Sequence, residues 1–176
     1  ATTVEAATSA AAPNLHESVS GNRAFTFTRT GGGDFEQAAA RAALVLRRRI
    51  VNNRLAPVPL EGRAVLSDYD RASGRLVHHT STQLPHVHQR ALAEILGWPL
   101  HRLHLVAPDV GGGFGAKLSF YAEDVLAAWL TLRLERPVRW IESRSEGFLA
   151  TTHGRDHVQE VELAAGVDGT VLALRA

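Results

Sequence analysis

The stretch Asp109-Val-Gly-Gly-Gly-Phe-Gly-Ala-Lys117 is the part of this chain best suited to chemistry. It follows an apolar run, His104 to Ala107, that reads as a buried strand. It precedes a periodic apolar run, Phe120 to Leu134, that reads as a helix. Three consecutive glycines at that junction strip the turn of Cβ atoms, so the backbone is free to take positive φ and to approach a ligand closely. N–H groups at the start of the helix would point at that ligand, and the helix dipole would favour an anionic one. The expected ligand carries phosphate or oxo groups.

Two cofactor readings arise from these residues alone. A P-loop requires Gly-Lys followed by Ser or Thr, but Ala116 precedes Lys117 and Leu118 follows it, so the hydroxyl that holds magnesium is missing. A dinucleotide fingerprint is matched in degenerate form by Gly111, Gly113 and Ala116, with Glu142 at the end of the next predicted strand to accept a ribose hydroxyl. Glu142 falls later than the usual ~20-residue offset, and Phe114 is bulky for such a turn. That reading stays open at this point.

The remaining constellations are weaker. There are nine histidines, but His78 and His79 face opposite ways on a strand, and His86 and His88 diverge on a helix. His153 and His157 are separated by Gly154 and a strand pattern. All are expected to be surface or packing groups, with no protein-ligated metal. Arg47-Arg-Arg49 reads as a solvated or interface edge. A net charge of +1 and the lack of interleaved aromatics argue against nucleic acid. Cysteine is absent, which excludes disulfides and thiolate catalysis within the segment. A cytoplasmic setting is expected. No Gly-x-Ser-x-Gly elbow is present, and no apolar run approaches the ~18 residues of a membrane span. Methionine is also absent, position 1 included, so the chain reads as a segment of a longer protein.

The elements that would position the glycine loop are legible in outline. Residues 1–13 read as a linker or mobile end, and residues 14–176 as a partial domain. Ala24 to Thr30 alternates like a half-buried strand. Asp34 caps a short helix to about Arg41, and a strand begins near Leu44. Ala64 to Tyr69 and Arg75 to Ser81 flank the turn Asp70-Arg-Ala-Ser-Gly74. Pro85 opens a helix to Leu96 that Gly97 stops, with Val87, Ala91, Leu92 and Ile95 as its apolar face. Tyr121, Val125, Leu126, Trp129 and Leu132 form the face of the next helix. Val138 to Ile141 is a strand, and Ser145 to Ala150 a helical turn. Val158 to Leu163 and Val171 to Leu174 flank a second hairpin turn at Val167-Asp-Gly169. The fold class is α+β, mixed α/β, with hairpins and packed helices.

A third reading of the loop comes from resemblance. Val51-Asn-Asn-Arg-Leu-Ala-Pro57, Thr80-Ser-Thr-Gln83 with Pro85-His86, Ala107 to Lys117, Arg136-Pro-Val-Arg-Trp140 and Thr151-Thr-His-Gly-Arg155 occur in that order. Together, from Leu15 to the end, they resemble the molybdenum-binding large subunit of the xanthine dehydrogenase, aldehyde oxidase and aerobic carbon monoxide dehydrogenase superfamily. The family's subunits are several times longer, so the segment corresponds to an early portion of a molybdopterin-binding domain.

The resemblance implies roles for named residues. Gly112, Gly113, Phe114 and Gly115 would lie against the molybdenum–pterin cofactor, and Phe114 would also wall the substrate site. Gln83 would donate to an oxo ligand of molybdenum, as a neutral amide can. Arg155 would face the substrate, or else form a salt bridge with Asp156 or Glu142. Leu118 replaces the glutamate with which purine oxidisers grip the heterocycle, which argues against a purine. Glu61-Gly62 stands where relatives have Glu-Pro, a change expected to alter turn stiffness rather than chemistry. The implied reaction is oxidation of an aldehyde or aromatic heterocycle by insertion of a water-derived oxygen, with a carbon monoxide dehydrogenase-type subunit as the alternative. The implied cofactor is molybdopterin in its cytosine dinucleotide form. The implied partners are a small-molecule substrate, an iron–sulfur subunit and an FAD subunit, in a dimer of heterotrimers. The catalytic glutamate would lie beyond Ala176. A dinucleotide-binding module and a non-catalytic fragment are the remaining alternatives.

Overall fold

A computed structural model describes residues 3–176. In chain order the elements are α1 (Val4–Thr8), α2 (Phe35–Ala40), β1 (Leu44–Asn52), β2 (Ala64–Asp70), β3 (Arg75–Thr80), α3 (Pro85–Leu96), β4 (Leu103–Val106), α4 (Ala122–Leu134), β5 (Val138–Ile141), α5 (Arg144–Ala150), β6 (His157–Ala165) and β7 (Val171–Arg175). They form two compact units, residues 3–53 with 156–176, and Arg54–Arg155. The class is α+β.

The first unit is built on an antiparallel sheet in the order β1-β6-β7. β1 and β6 pair from Leu44↔Ala165 to Asn52↔His157, which sets Arg47 opposite Glu162 and Arg49 opposite Glu160. Both pairs form cross-strand salt bridges, at 2.6 and 3.1 Å. Two of the three arginines are therefore paired on a solvated strand edge, while Arg48 donates to the Arg47 carbonyl. Asp34 caps α2 through the Glu36 N–H (2.9 Å). Within residues 1–13, Val4–Thr8 forms a helical turn capped by Thr3. The side chain of Asn22 bonds the carbonyls of Ala7 and Pro13. The strand expected at Ala24 to Thr30 does not form. Phe25 and Phe27 are 82% and 78% exposed, and alternation without a neighbouring strand to pair with gives no ladder.

The second unit carries a four-stranded mixed sheet, β4-β3-β2-β5. β2 and β3 make the expected hairpin, with Asp70↔Arg75 closing it, and Gly74 supplies the positive φ of +66°. β4 runs parallel to β3, which requires a crossover, and α3 is that crossover. Its ends match the sequence: Pro85 in the first turn and Gly97 as a left-handed cap at φ 59°. Leu76, Leu92, Ala93, Leu103 and Ala128 form the core, with Tyr69, Leu96, Trp98, Phe120, Val125 and Leu132 around it.

Two helix faces differ from expectation. On α3 the buried residues are His88, Leu92 and Ala93, while Val87 and Ile95 are exposed. On α4 they are Asp124, Ala127, Ala128 and Thr131, while Leu126 and Trp129 are exposed. The sheet beneath α4 supplies polar partners. Thr131 Oγ1 donates to the Ser67 carbonyl (3.2 Å) and Thr80 Oγ1 to Asp124 Oδ1 (2.7 Å). Satisfied polar groups bury without the usual penalty, and the alanines admit close approach.

Candidate cofactor and substrate site

The glycine loop does not open a helix. β4 ends at Val106 and α4 begins at Ala122, and between them Phe114 to Leu118 form consecutive turns. Bonds from Ala116 N–H to the Gly113 carbonyl (2.9 Å) and from Leu118 N–H to the Gly115 carbonyl (3.3 Å) hold those turns. The helix dipole therefore contributes nothing at the loop, and the bare backbone is what remains.

Each glycine meets a different demand. Gly112 and Gly115 have φ of +94° and +91°, which strain any side-chain-bearing residue. Gly111 is needed for close approach, because a Cβ there would sit 2.7 Å from that of Glu61. A Cβ on Gly113 would fall within the Gln83 carboxamide. Phe114 also takes positive φ (50°) and projects outward, 76% exposed. It is not a core aromatic.

Gln83 is tied to the loop from both its groups. Its N–H donates to the Lys117 carbonyl (3.0 Å), and its Oε1 accepts from the Gly115 N–H (3.1 Å). With the amide oxygen engaged, the Gln83 NH2 has no hydrogen-bond partner among the described residues. The Gly112 N–H is taken by the Val110 carbonyl (2.9 Å) and the Gly111 N–H by Glu61. Among the described residues, the N–H groups of Gly113 and Phe114 have no acceptor in the chain. Two adjacent free donors beside a carboxamide NH2 are the kind of arrangement that suits an acceptor ligand.

Supports the sequence did not reveal lie under the loop. Glu61 Oε2 accepts from both the Gly111 N–H and Lys117 Nζ, each at 2.6 Å. Burial raises the Glu61 carboxyl, but the bonds from Lys117 and Gly111 outweigh this and leave it below its ordinary value. Arg144 donates to the carbonyls of Pro59 and Leu60, both at 2.9 Å. Tyr121 OH donates to the Ala116 carbonyl (2.6 Å) and accepts from the Thr152 N–H (3.1 Å), linking the loop to the segment that leads to Arg155. The resemblance placed Lys117 in a motif and Glu61 in a Glu-Pro-like turn, but assigned neither a supporting role.

Arg155 and Phe114 share one open cleft. Its volume is about 430 Å³, and Leu55, Ala56, Pro57 and Gly154 complete its lining. The short bridge Leu55↔Gly154 forms its floor. Arg155 has a positive φ of 66° and makes no ion pair among the described residues. Glu142 is engaged elsewhere. It accepts from Arg63 Nε (2.9 Å) and the Arg63 N–H (2.9 Å), lies 2.8 Å from Nη2 in an ion pair, and its side chain is nearly fully buried. Arg63 stacks 3.8 Å above the Tyr121 ring. Glu142 is therefore closed to a ribose, and the dinucleotide reading loses its acidic partner.

Two histidines, His78 and His88, are buried, and His16, His86, His101, His104 and His157 are exposed. His78 is enclosed between Ser67 Oγ (2.6 Å from Nδ1) and Asp124 Oδ1 (3.3 Å from Nε2). His88 lies against Phe120 and within reach of Thr82 and the Leu118 carbonyl. His153 Nδ1 accepts from Arg54 Nε (2.9 Å). The Ser67, His78 and Asp124 set resembles a hydrolase triad in composition only, since all three residues are buried.

A mixed sheet, a crossover helix and a glycine cradle beside an apolar cleft define a cofactor-binding domain. The chain belongs to the molybdopterin cofactor-binding domain family, whose model matches residues 15–176. It is 38% identical over 136 residues to the carbon monoxide dehydrogenase large chain of Afipia carboxidovorans, covering 77% of this chain and 17% of that one. It is 33% identical over 147 residues to the nicotine 6-hydroxylase large subunit of Paenarthrobacter nicotinovorans, covering 84% and 18%. Quinoline 2-oxidoreductase from Pseudomonas putida 86 superposes with a TM-score of 0.75 at 36% identity, over 80% of this chain and 18% of that one. Aldehyde oxidoreductase from Desulfovibrio gigas superposes with a TM-score of 0.84 at 25% identity, over 98% and 19%. The chain thus spans under a fifth of the length of these relatives. No helix among the described residues is long and apolar enough to cross a membrane.

Proposed function

We propose that this chain forms the glycine-loop part of the cofactor and substrate site of a molybdenum hydroxylase large subunit that oxidises an aldehyde or aromatic heterocycle. The observation that carries this reading is the cradle: free N–H groups on Gly113 and Phe114 beside the free NH2 of Gln83. Such donors suit the oxo and phosphate oxygens of a molybdenum–pterin cofactor. The glycines leave room for it.

When bound, the cofactor supplies the redox chemistry, by which substrate gains a water-derived oxygen and loses two electrons. The chain's own residues bind and orient. Gln83 donates one hydrogen bond from a rotamer fixed through its oxygen. Gly113 and Phe114 donate from the backbone. The Phe114 ring forms one wall of the cleft and excludes water from that side, while Arg155 offers a charged fork to a substrate carbonyl or ring nitrogen. Apolar walls and a volume of about 430 Å³ suit a small organic ring and favour the heterocycle or aldehyde reading over carbon monoxide. Leu118, in place of a carboxylate, favours a non-purine substrate.

The cytosine dinucleotide form of the pterin, iron–sulfur and FAD partner subunits and a dimer of heterotrimers extend the same reading. They are supported by the resemblance and by relatives named as subunits of complexes. The test is the molybdenum and pterin content of the full-length parent, purified with its neighbouring subunits from a cofactor-producing host, beside a Gly113→Val variant. Near-stoichiometric metal that the folded variant loses is the expected result. A metal-free, fully assembled wild type would overturn the reading.

A further inference from the structure

The Lys117 side chain is wholly buried, and among the described residues its ammonium has one partner, Glu61 Oε2 at 2.6 Å. That same oxygen accepts the Gly111 N–H at 2.6 Å. One atom therefore joins the two ends of the seven-residue loop. The Glu61 N–H returns a bond to the Gly111 carbonyl (3.3 Å). Gly111 lacks the Cβ that would displace Glu61. Arg144 holds the two residues before Glu61 through their carbonyls, so the carboxylate is itself mounted on a fixed segment. A buried lysine whose one counter-charge is removed is strongly destabilising. Such a pair persists only where its geometry is over-determined, as here.

We propose that Glu61 and Lys117 are positioning residues that close the glycine loop into its binding shape before any cofactor arrives. This rests on the molybdenum–pterin reading above. The clamp takes the Gly111 N–H, the Val110 carbonyl that of Gly112 and Gln83 that of Gly115, while the adjacent N–H groups of Gly113 and Phe114 have no acceptor among the described residues. Both residues of the clamp spend their charged groups on each other and on the loop backbone. They act through the loop, by holding donors at the spacing the cofactor's oxygens require.

The test uses the full-length subunit with its partners, prepared with and without cofactor, in wild-type, E61Q, E61D and E61Q/K117M forms. Molybdenum per protein, the rate of pterin release and the melting temperature of the cofactor-free assembly are read together. E61Q leaves the Lys117 charge unmatched and lowers the melting temperature. E61Q/K117M removes that charge and restores it. Pterin release stays about tenfold or more faster than wild type in both, the size typical of losing an outer-shell support. E61D keeps the charge and the fold but falls short of the loop, so it also releases faster. Cofactor retention that recovers fully in E61Q/K117M, or that never falls in E61D, would reduce the pair to a stability element and overturn the proposal. A wild type that lacks molybdenum would instead overturn the reading beneath it.

Discussion

Single atoms decide most of what this loop does. Gly113→Ala places a methyl inside the Gln83 carboxamide. Gln83 is then displaced, the Gly115 N–H loses its acceptor, and cofactor content falls while the sheet still folds. Metal analysis beside a far-ultraviolet spectrum checks both halves. Gln83→Leu leaves the same N–H unmatched without steric pressure and should cost about 1 kcal/mol in a melt of the cofactor-free protein. Phe114 is exposed and separate from the core, so Phe114→Ala is expected to leave stability within about 0.5 kcal/mol while changing the KM for substrate. From sequence, the glycine run and Phe114 stood out because their residue types are rare together. The role of Glu61 was not legible, because a glutamate beside a turn is unremarkable until the fold brings Lys117 and Gly111 to one of its oxygens.

Elements were legible where a local signal fixed them. Pro85 and Gly97 bracket α3, Asp34 caps α2, and Asp70 to Gly74 turns the β2–β3 hairpin. Helix faces were misread where apolar pattern and burial diverge. Asp124 and Thr131 take the buried face of α4 because β2 and β3 offer partners that no sequence window contains. The Asp124 carboxyl has a specific pH consequence. Burial raises it, but bonds from His78 and Thr80 and the charge of nearby histidines outweigh that and hold it below its ordinary value. With the folded pKa depressed, its stabilisation is present above the unfolded value of roughly 4 and is lost as pH falls through the folded one. Asp124→Ala is expected to cost about 3 kcal/mol at neutral pH and to flatten that acid limb in denaturation curves. An unchanged limb would assign the acid sensitivity elsewhere.

At the scale of the molecule, five ordered motifs identified the family where a single glycine fingerprint left a dinucleotide reading open. The buried Arg63–Glu142 pair then removed that rival. The α+β class was legible from alternating periodicities. The division into two units was not, since it depends on β6 and β7 returning to β1 across the whole intervening segment. The central claim is that the loop is a cradle for a molybdenum–pterin cofactor, and metal occupancy tests it most directly. Molybdenum per protein is to be measured on the full-length parent with its partner subunits, wild type beside Gly113→Val. Near one metal per subunit in the wild type and little in a folded variant is the expected outcome. Equal occupancy in both, or none in a correctly assembled wild type, would contradict it.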